Sequence, residues 1–168
     1  METHSRVKSV VATTEMRDQK TIDHELATRV LGLTLQARAT GVKYWAKPDK
    51  PDTCFIRADD WNPCVDTSPH FLPQNQWVLV MERMVELGFV FSIQLGRKLP
   101  EDWATKRPQV YEWDHFLVEI KRRESKGDSV LVCRSSLAEA VCAAALGAFD
   151  HFKLDAPDTP DAPQEKDA

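Results

Sequence analysis

No stretch of this 168-residue chain holds the 20 or so consecutive apolar residues that a transmembrane helix needs, so a membrane span is not expected. A charged-then-apolar leader is lacking as well. Met1 to Lys20 is polar and mixed in sign, which predicts a protein that is not secreted and works in the cytoplasm. Catalytic signatures are also missing: there is no Gly-x-Ser-x-Gly elbow, no phosphate-cradling glycine loop and no paired-carboxylate pattern. The expectation is a protein that is not an enzyme and carries no cofactor. An excess of basic charge is absent too. The formal net charge of -4 equals that of the last 14 residues alone, where Asp155, Asp158, Asp161, Glu165 and Asp167 face one Lys166. The rest is formally neutral, which argues against general duplex-DNA binding. Cysteine is scarce and has no close pairs: Cys54, Cys64, Cys133 and Cys142 read as reduced thiols, the last two as small packing residues.

What is present reads as one α+β domain over residues 15–154, between a flexible arm at 1–14 and a disordered, acidic, Pro-rich tail at 155–168. Ile22, Leu26 and Val30 recur every fourth residue and predict a helix from Ile22 to Leu31, closed by Gly32. Thr21 can cap it, or the cap lies earlier, near Thr13 or Thr14. Leu33 to Ala39 either continues this helix or begins a strand. Short strands follow at Val42 to Ala46 and Cys54 to Ala58, and Trp61 to Pro73 reads as an irregular loop over the core. A second helix opens near Pro73-Gln74-Asn75 with Asn75 as its cap and ends at Gly88. Its apolar stripe is Trp77, Val80, Met81, Met84 and Val85, opposite Glu82, Arg83 and Glu86; Leu79 falls on the polar face.

Phe89, Phe91, Ile93 and Leu95 alternate with Val90, Ser92 and Gln94, as in a half-buried strand. Gly96 to Val110 is a charged, proline-punctuated excursion. Trp113 to Arg123 returns as a strand with Phe116, Val118 and Ile120 on one face, and the Lys126-Gly127-Asp128 turn predicts antiparallel pairing with Ser129 to Arg134. Ser136-Leu137-Ala138-Glu139 then forms a capping box ahead of a helix reaching about Phe152. That helix is apolar around nearly its whole circumference, so it is covered on more than one side, by a neighbouring loop or by a second subunit.

Three of these segments resemble one family. Glu82-Arg83-Met84-Val85-Glu86-Leu87-Gly88-Phe89 is similar to its Val-Val-Glu-Lys-Met-Arg-Glu-x-Gly-aromatic helix end. Ser136 to Leu146 is similar to its Thr-Ala-Pro-x-Ala-Ile-Cys-Arg-Ala-Ala-Leu run, and Leu26-Ala27-Thr28-Arg29-Val30-Leu31-Gly32 to its Val-Ala-Glu-x-Val-Met-Gly opening. The family is the phage ABA sandwich domain, found in small phage and prophage proteins, and the likeness spans about residues 22–150. It departs at Pro73-Gln74-Asn75-Gln76, where the family reads Pro-Ser-Thr-Asp, and the family lacks the arm, so charged an excursion and the tail. The resemblance implies an α/β/α-type sandwich, three helices on a mainly antiparallel sheet of four to five strands, and a phage origin. It brings no catalytic motif.

Among candidate sites, Cys54, Cys64 and His70 could be imagined around a metal, but their spacings of ten and six residues lack the tight pairing usual in structural zinc sites, and no metal is expected. Asp114 and His115 are strand neighbours that point to opposite faces, so His115 is expected on the wetter face rather than in a catalytic pair. Lys121, Arg122 and Arg123 read as a charged edge. The favoured ligand-binding residues are Arg97, Lys98, Trp103, Lys106 and Arg107, cations beside an indole that suit a phosphate-bearing nucleotide; the competing reading is a solvated loop pinned by Trp103. The expected function is that of a phage or prophage accessory protein in the host cytoplasm that counters host defence by binding. Its partner would be a nucleotide signal, held between subunits of a homo-oligomer, or a host defence complex that it inhibits. A virion accessory role is the third reading.

Overall fold

The computed structural model describes residues 9–11, 18–65, 75–96 and 115–154. It is a mixed α+β fold whose strands divide into two sheets. One sheet runs in the order β1-β7-β6-β5, with β1 Ser9–Val11, β5 Phe89–Gly96, β6 His115–Arg122 and β7 Ser129–Arg134. The other runs β2-β3-β4, with β2 Thr34–Ala37, β3 Lys43–Ala46 and β4 Ile56–Arg57. Where one mainly antiparallel sheet of four to five strands was expected, a four-stranded sheet is present and three further strands form a second one. β5, β6 and β7 are antiparallel neighbours as the alternation and the turn predicted, whereas β1 joins β7 in parallel. Ser9–Val11 therefore forms a strand where the sequence reading has a flexible arm. The tail at 155–168 lies outside the described residues.

The main sheet's register explains its buried face. Phe91, Ile120 and Val130 are directly cross-strand, and so are Ile93, Val118 and Val132. Val118, Ile120, Val130 and Val132 are essentially fully buried, as the period-two reading of β6 and β7 requires. β5 departs from its expected alternation: Phe89 is buried, but Ile93 and Leu95 are 42% and 51% exposed. Among the described residues they lie on an edge strand, so their register neighbours are on one side only.

α3, Leu137–His151, packs on β6 and β7 and also meets α2, Trp77–Glu86, and the first helix. The Ser136 side chain caps it by accepting from the Glu139 amide at 3.4 Å, so the predicted start holds. Small side chains let the helix sit close to its neighbours: Ala138, Ala140, Ala144, Ala145 and Ala148 have no exposed surface. Glu139, Ala143, Gly147 and Asp150, each about a turn apart, mark its least covered line. The apolar circumference is thus covered within one chain.

The first helix starts earlier than expected. Asp18, not Thr21, is its cap, accepting from the Thr21 amide at 2.9 Å. α1, Gln19–Glu25, runs straight into one π-helical turn, Leu26–Val30, which buries Leu26, Ala27 and Val30. In α2 the N-cap position belongs to Gln76 rather than Asn75. Val80 and Met84 are buried as predicted, but Val85 is 45% exposed while Leu79 packs partly into the core, so these two exchange the places that the stripe gave them. Gly88 ends the helix with φ +86, a conformation most side chains resist.

Of the loop expected over Trp61 to Pro73, residues 66–73 lie outside the described residues, and the part before them is anchored in the core. Trp61 is buried, and its Nε1 donates to the Asp23 carbonyl at 2.7 Å. Gln76, also buried, accepts from the Asn62 amide and donates to the Asp60 carbonyl, both at 2.6 Å. One side-chain amide thereby joins the start of α2 to the segment before it and leaves neither of its own ends unsatisfied.

Candidate functional site

The residues that best suit a ligand lie on the small sheet, outside the segments singled out from sequence. β2 and β3 are joined by a tight turn in which the Gly41 amide donates to the Arg38 carbonyl at 2.8 Å and the Arg38 amide to the Val42 carbonyl at 3.0 Å. Gly41 has φ +82, so this is a three-residue hairpin closed by a glycine bulge. The turn brings Arg38 back over β3, where its guanidinium lies 5.2 Å from the centre of the Tyr44 ring. β4 supplies the other side: Tyr44 and Arg57 are direct cross-strand partners. Tyr44 is buried and set apart from the main core, and its hydroxyl donates to the Pro51 carbonyl at 3.2 Å.

Arg38, Thr40, Val42, Tyr44, Cys54 and Arg57 enclose a cavity of about 330 Å³. Its size falls at the lower end of small-molecule sites, about 300–1,000 Å³, which suits one nucleotide unit rather than a long strand. Among the described residues its lining has two guanidinium groups and no carboxylate. Arginine's planar fork suits phosphate oxygens, and Thr40 adds a hydroxyl donor. The surroundings are basic too: residues 34–57 hold Arg38, Lys43, Lys47, Lys50 and Arg57 against Asp49 and Asp52. The arrangement can hold an anion next to aromatic and apolar surface.

The cysteines separate. Cys54 is half-buried and lines this cavity, whereas Cys64 joins the core cluster. Cys64 lies beside Cys142, whose Sγ is 3.5 Å from the carbonyl of neighbouring Pro63. The hydrogen bond with the Cys142 thiol holds the Cys64 thiol below its ordinary pKa, against the opposing effect of burial. His70 lies outside the described residues. Among those that are described, no three His, Cys, Asp or Glu side chains come together as metal ligands would. Asp114 too lies outside them, and His115 is half-buried at the start of β6. Arg122 does more than mark an edge: its guanidinium lies over the rings of Phe89 and Phe152, at 5.8 and 5.1 Å.

Arg97, Lys98, Trp103, Lys106 and Arg107 all fall outside the described residues. What the sequence reading missed is the trio Arg38, Tyr44 and Arg57. The only local signal was Arg38 and Tyr44 on either side of the Thr40-Gly41 turn; Arg57 is brought in by the β3–β4 register. No family model matches this chain, and no curated protein or solved structure is detectably similar to it. No helix among the described residues is long and apolar enough to cross a membrane.

Proposed function

We propose that this protein acts by binding rather than catalysis, and that its ligand is a phosphate-bearing nucleotide held at the small sheet. The observation that carries the reading is the pairing of Arg38 and Arg57 about Tyr44 in a cavity whose described lining has no carboxylate. Charge-assisted bonds from two guanidinium groups are stronger than neutral ones, and the phenol and Val42 offer surface to a base or sugar. The resemblance to phage ABA sandwich proteins gives this binding a setting. The chain would be a phage or prophage accessory protein in the host cytoplasm that sequesters a nucleotide signal of host defence, working as a homo-oligomer. That family's layering, three helices on a four- to five-stranded sheet, goes with the same reading.

Titration calorimetry against a panel of cyclic and linear nucleotides tests it. Binding should weaken about tenfold or more in Arg38→Met and in Arg57→Met, since a hydrogen bond to a charged group contributes about 1.5–3 kcal/mol. A silent panel with a folded wild-type protein would sink the proposal. A second reading, a protein-binding inhibitor of a host defence complex, is favoured by one other feature: among the described residues β5 is an edge strand that exposes Ile93 and Leu95. Such an edge can accept a partner's strand. Ile93→Lys and Leu95→Lys should then abolish capture of that complex from host lysate while leaving nucleotide titrations unchanged.

A further inference from the structure

A second cleft, of about 470 Å³, lies between α2 and the segment after β3. The wall given by α2 is Leu79, Glu82, Arg83 and Glu86, whose spacing of three, four and seven residues puts them on one helical face. Leu31, Leu33, Phe55 and Leu79 provide apolar surface, and Phe55 is 38% exposed, a large ring with no complete cover. The charges around this surface are unequal. Arg83 donates to Glu86 at 3.0 Å, so that pair largely cancels. Lys47 then stands against Asp49 and Glu82, neither of which has an ion-pair partner among the described residues. The last turn of the first helix ends beside them at Leu31 and Gly32, and a helix C-terminus adds partial negative charge. Phe55 already accepts a cation on its face, with the Lys47 ammonium 5.7 Å from the ring centre.

We infer that this cleft is a second binding site, which takes an amine carrying an apolar body about the size of an amino-acid side chain. The ammonium group would lie by Asp49 and Glu82, and the apolar body on Phe55 and the three leucines. The cleft's charge balance is opposite to that of the small-sheet cavity: its lining sets Asp49, Glu82 and Glu86 against Lys47 and Arg83, whereas the other's described lining sets two guanidinium groups against no carboxylate. The two sites therefore favour ligands of opposite charge, and this inference does not rest on the nucleotide reading.

Three probes of the same skeleton separate the charge requirement: phenethylamine, phenylalanine and phenylacetate, each followed by ligand-observed NMR and by titration. Phenethylamine should bind, phenylalanine more weakly, and phenylacetate not at all in the same concentration range. Phe55→Ala should cost about tenfold in phenethylamine affinity. Glu82→Gln and Asp49→Asn should each cost roughly two- to fivefold, and added salt should weaken binding further. Phe55, Glu82 and Asp49 are exposed, so the variants should keep the wild-type melting midpoint, which a thermal melt verifies. The inference is overturned if phenethylamine fails to bind at millimolar concentration, if phenylacetate binds as well, or if all three variants bind like wild type.

Discussion

Replacing Ala145 by leucine tests whether the close approach of α3 to its neighbours holds this fold together. Ala145 has no exposed surface and sits among Val141, Ala144, Ala148 and Phe149, all buried. Leucine almost matches alanine in helix propensity, so any loss reports packing rather than helix formation. With no exposed surface at this position the added carbons cannot turn out to solvent, and overpacking of this kind costs about 1–3 kcal/mol. For a domain of this size each kcal/mol moves the melting midpoint by about 2–4 °C, so a fall of roughly 2–12 °C is expected. Ala143→Leu is the control. It lies two positions earlier on the less covered line of the same helix and should stay within about 0.5 kcal/mol of wild type. Thermal and urea unfolding followed by circular dichroism give both numbers. If Ala145→Leu melts with wild type, or if Ala143→Leu falls as far, then α3 is not closely enclosed by its own chain.

Other outcomes follow from single contacts. Phe89→Ala should lose about 3–5 kcal/mol in urea unfolding, because Phe89 is 1% exposed and stacks near Phe152. Arg122→Ala should cost about 1 kcal/mol through the two rings it covers, an effect absent if Arg122 is merely a charged edge. Burial raises the Asp23 carboxyl above its ordinary pKa, against a hydrogen bond from Gln19, so the folded state binds protons more readily than the unfolded one. Stability is then lost as pH rises through that raised value; Asp23→Asn should melt higher than wild type at neutral pH, and the gain should vanish below about pH 3.9. Iodoacetamide mapping by mass spectrometry should label half-buried Cys54 and Cys133 well before buried Cys64 and Cys142.

The parts legible in the sequence were those that local chemistry decides. Ser136 and Glu139 mark the start of α3 through a cap within one turn, and the Lys126-Gly127-Asp128 turn brings β6 and β7 together. Period two found the buried face of β6 because both its neighbours are strands, and it over-assigned β5, an edge strand whose far half is exposed. Helical spacing alone could not tell Leu79 from Val85. The decision fell to what packs beside α2, and its neighbour at Leu79 is the cleft wall. The division into two sheets was invisible for a similar reason, since short strands do not announce their partners. The small-sheet cavity was hidden most completely. Arg38, Tyr44 and Arg57 lie on three separate stretches, and only the hairpin geometry and the β3–β4 register unite them.

The Gln76 amide has a topological consequence. By bonding to the backbone on both sides of Trp61, at Asp60 and Asn62, it brings the two ends of a long excursion together and holds them there. A cut between them would leave these two bonds in place. A circular permutant that opens the chain within 66–74 and joins the original termini by a flexible linker should fold, and it should unfold as one unit. In a Gln76→Ala background the same permutant should melt lower, since the two hydrogen bonds across the cut are lost while the shared core of Trp61, Val80 and Met84 remains.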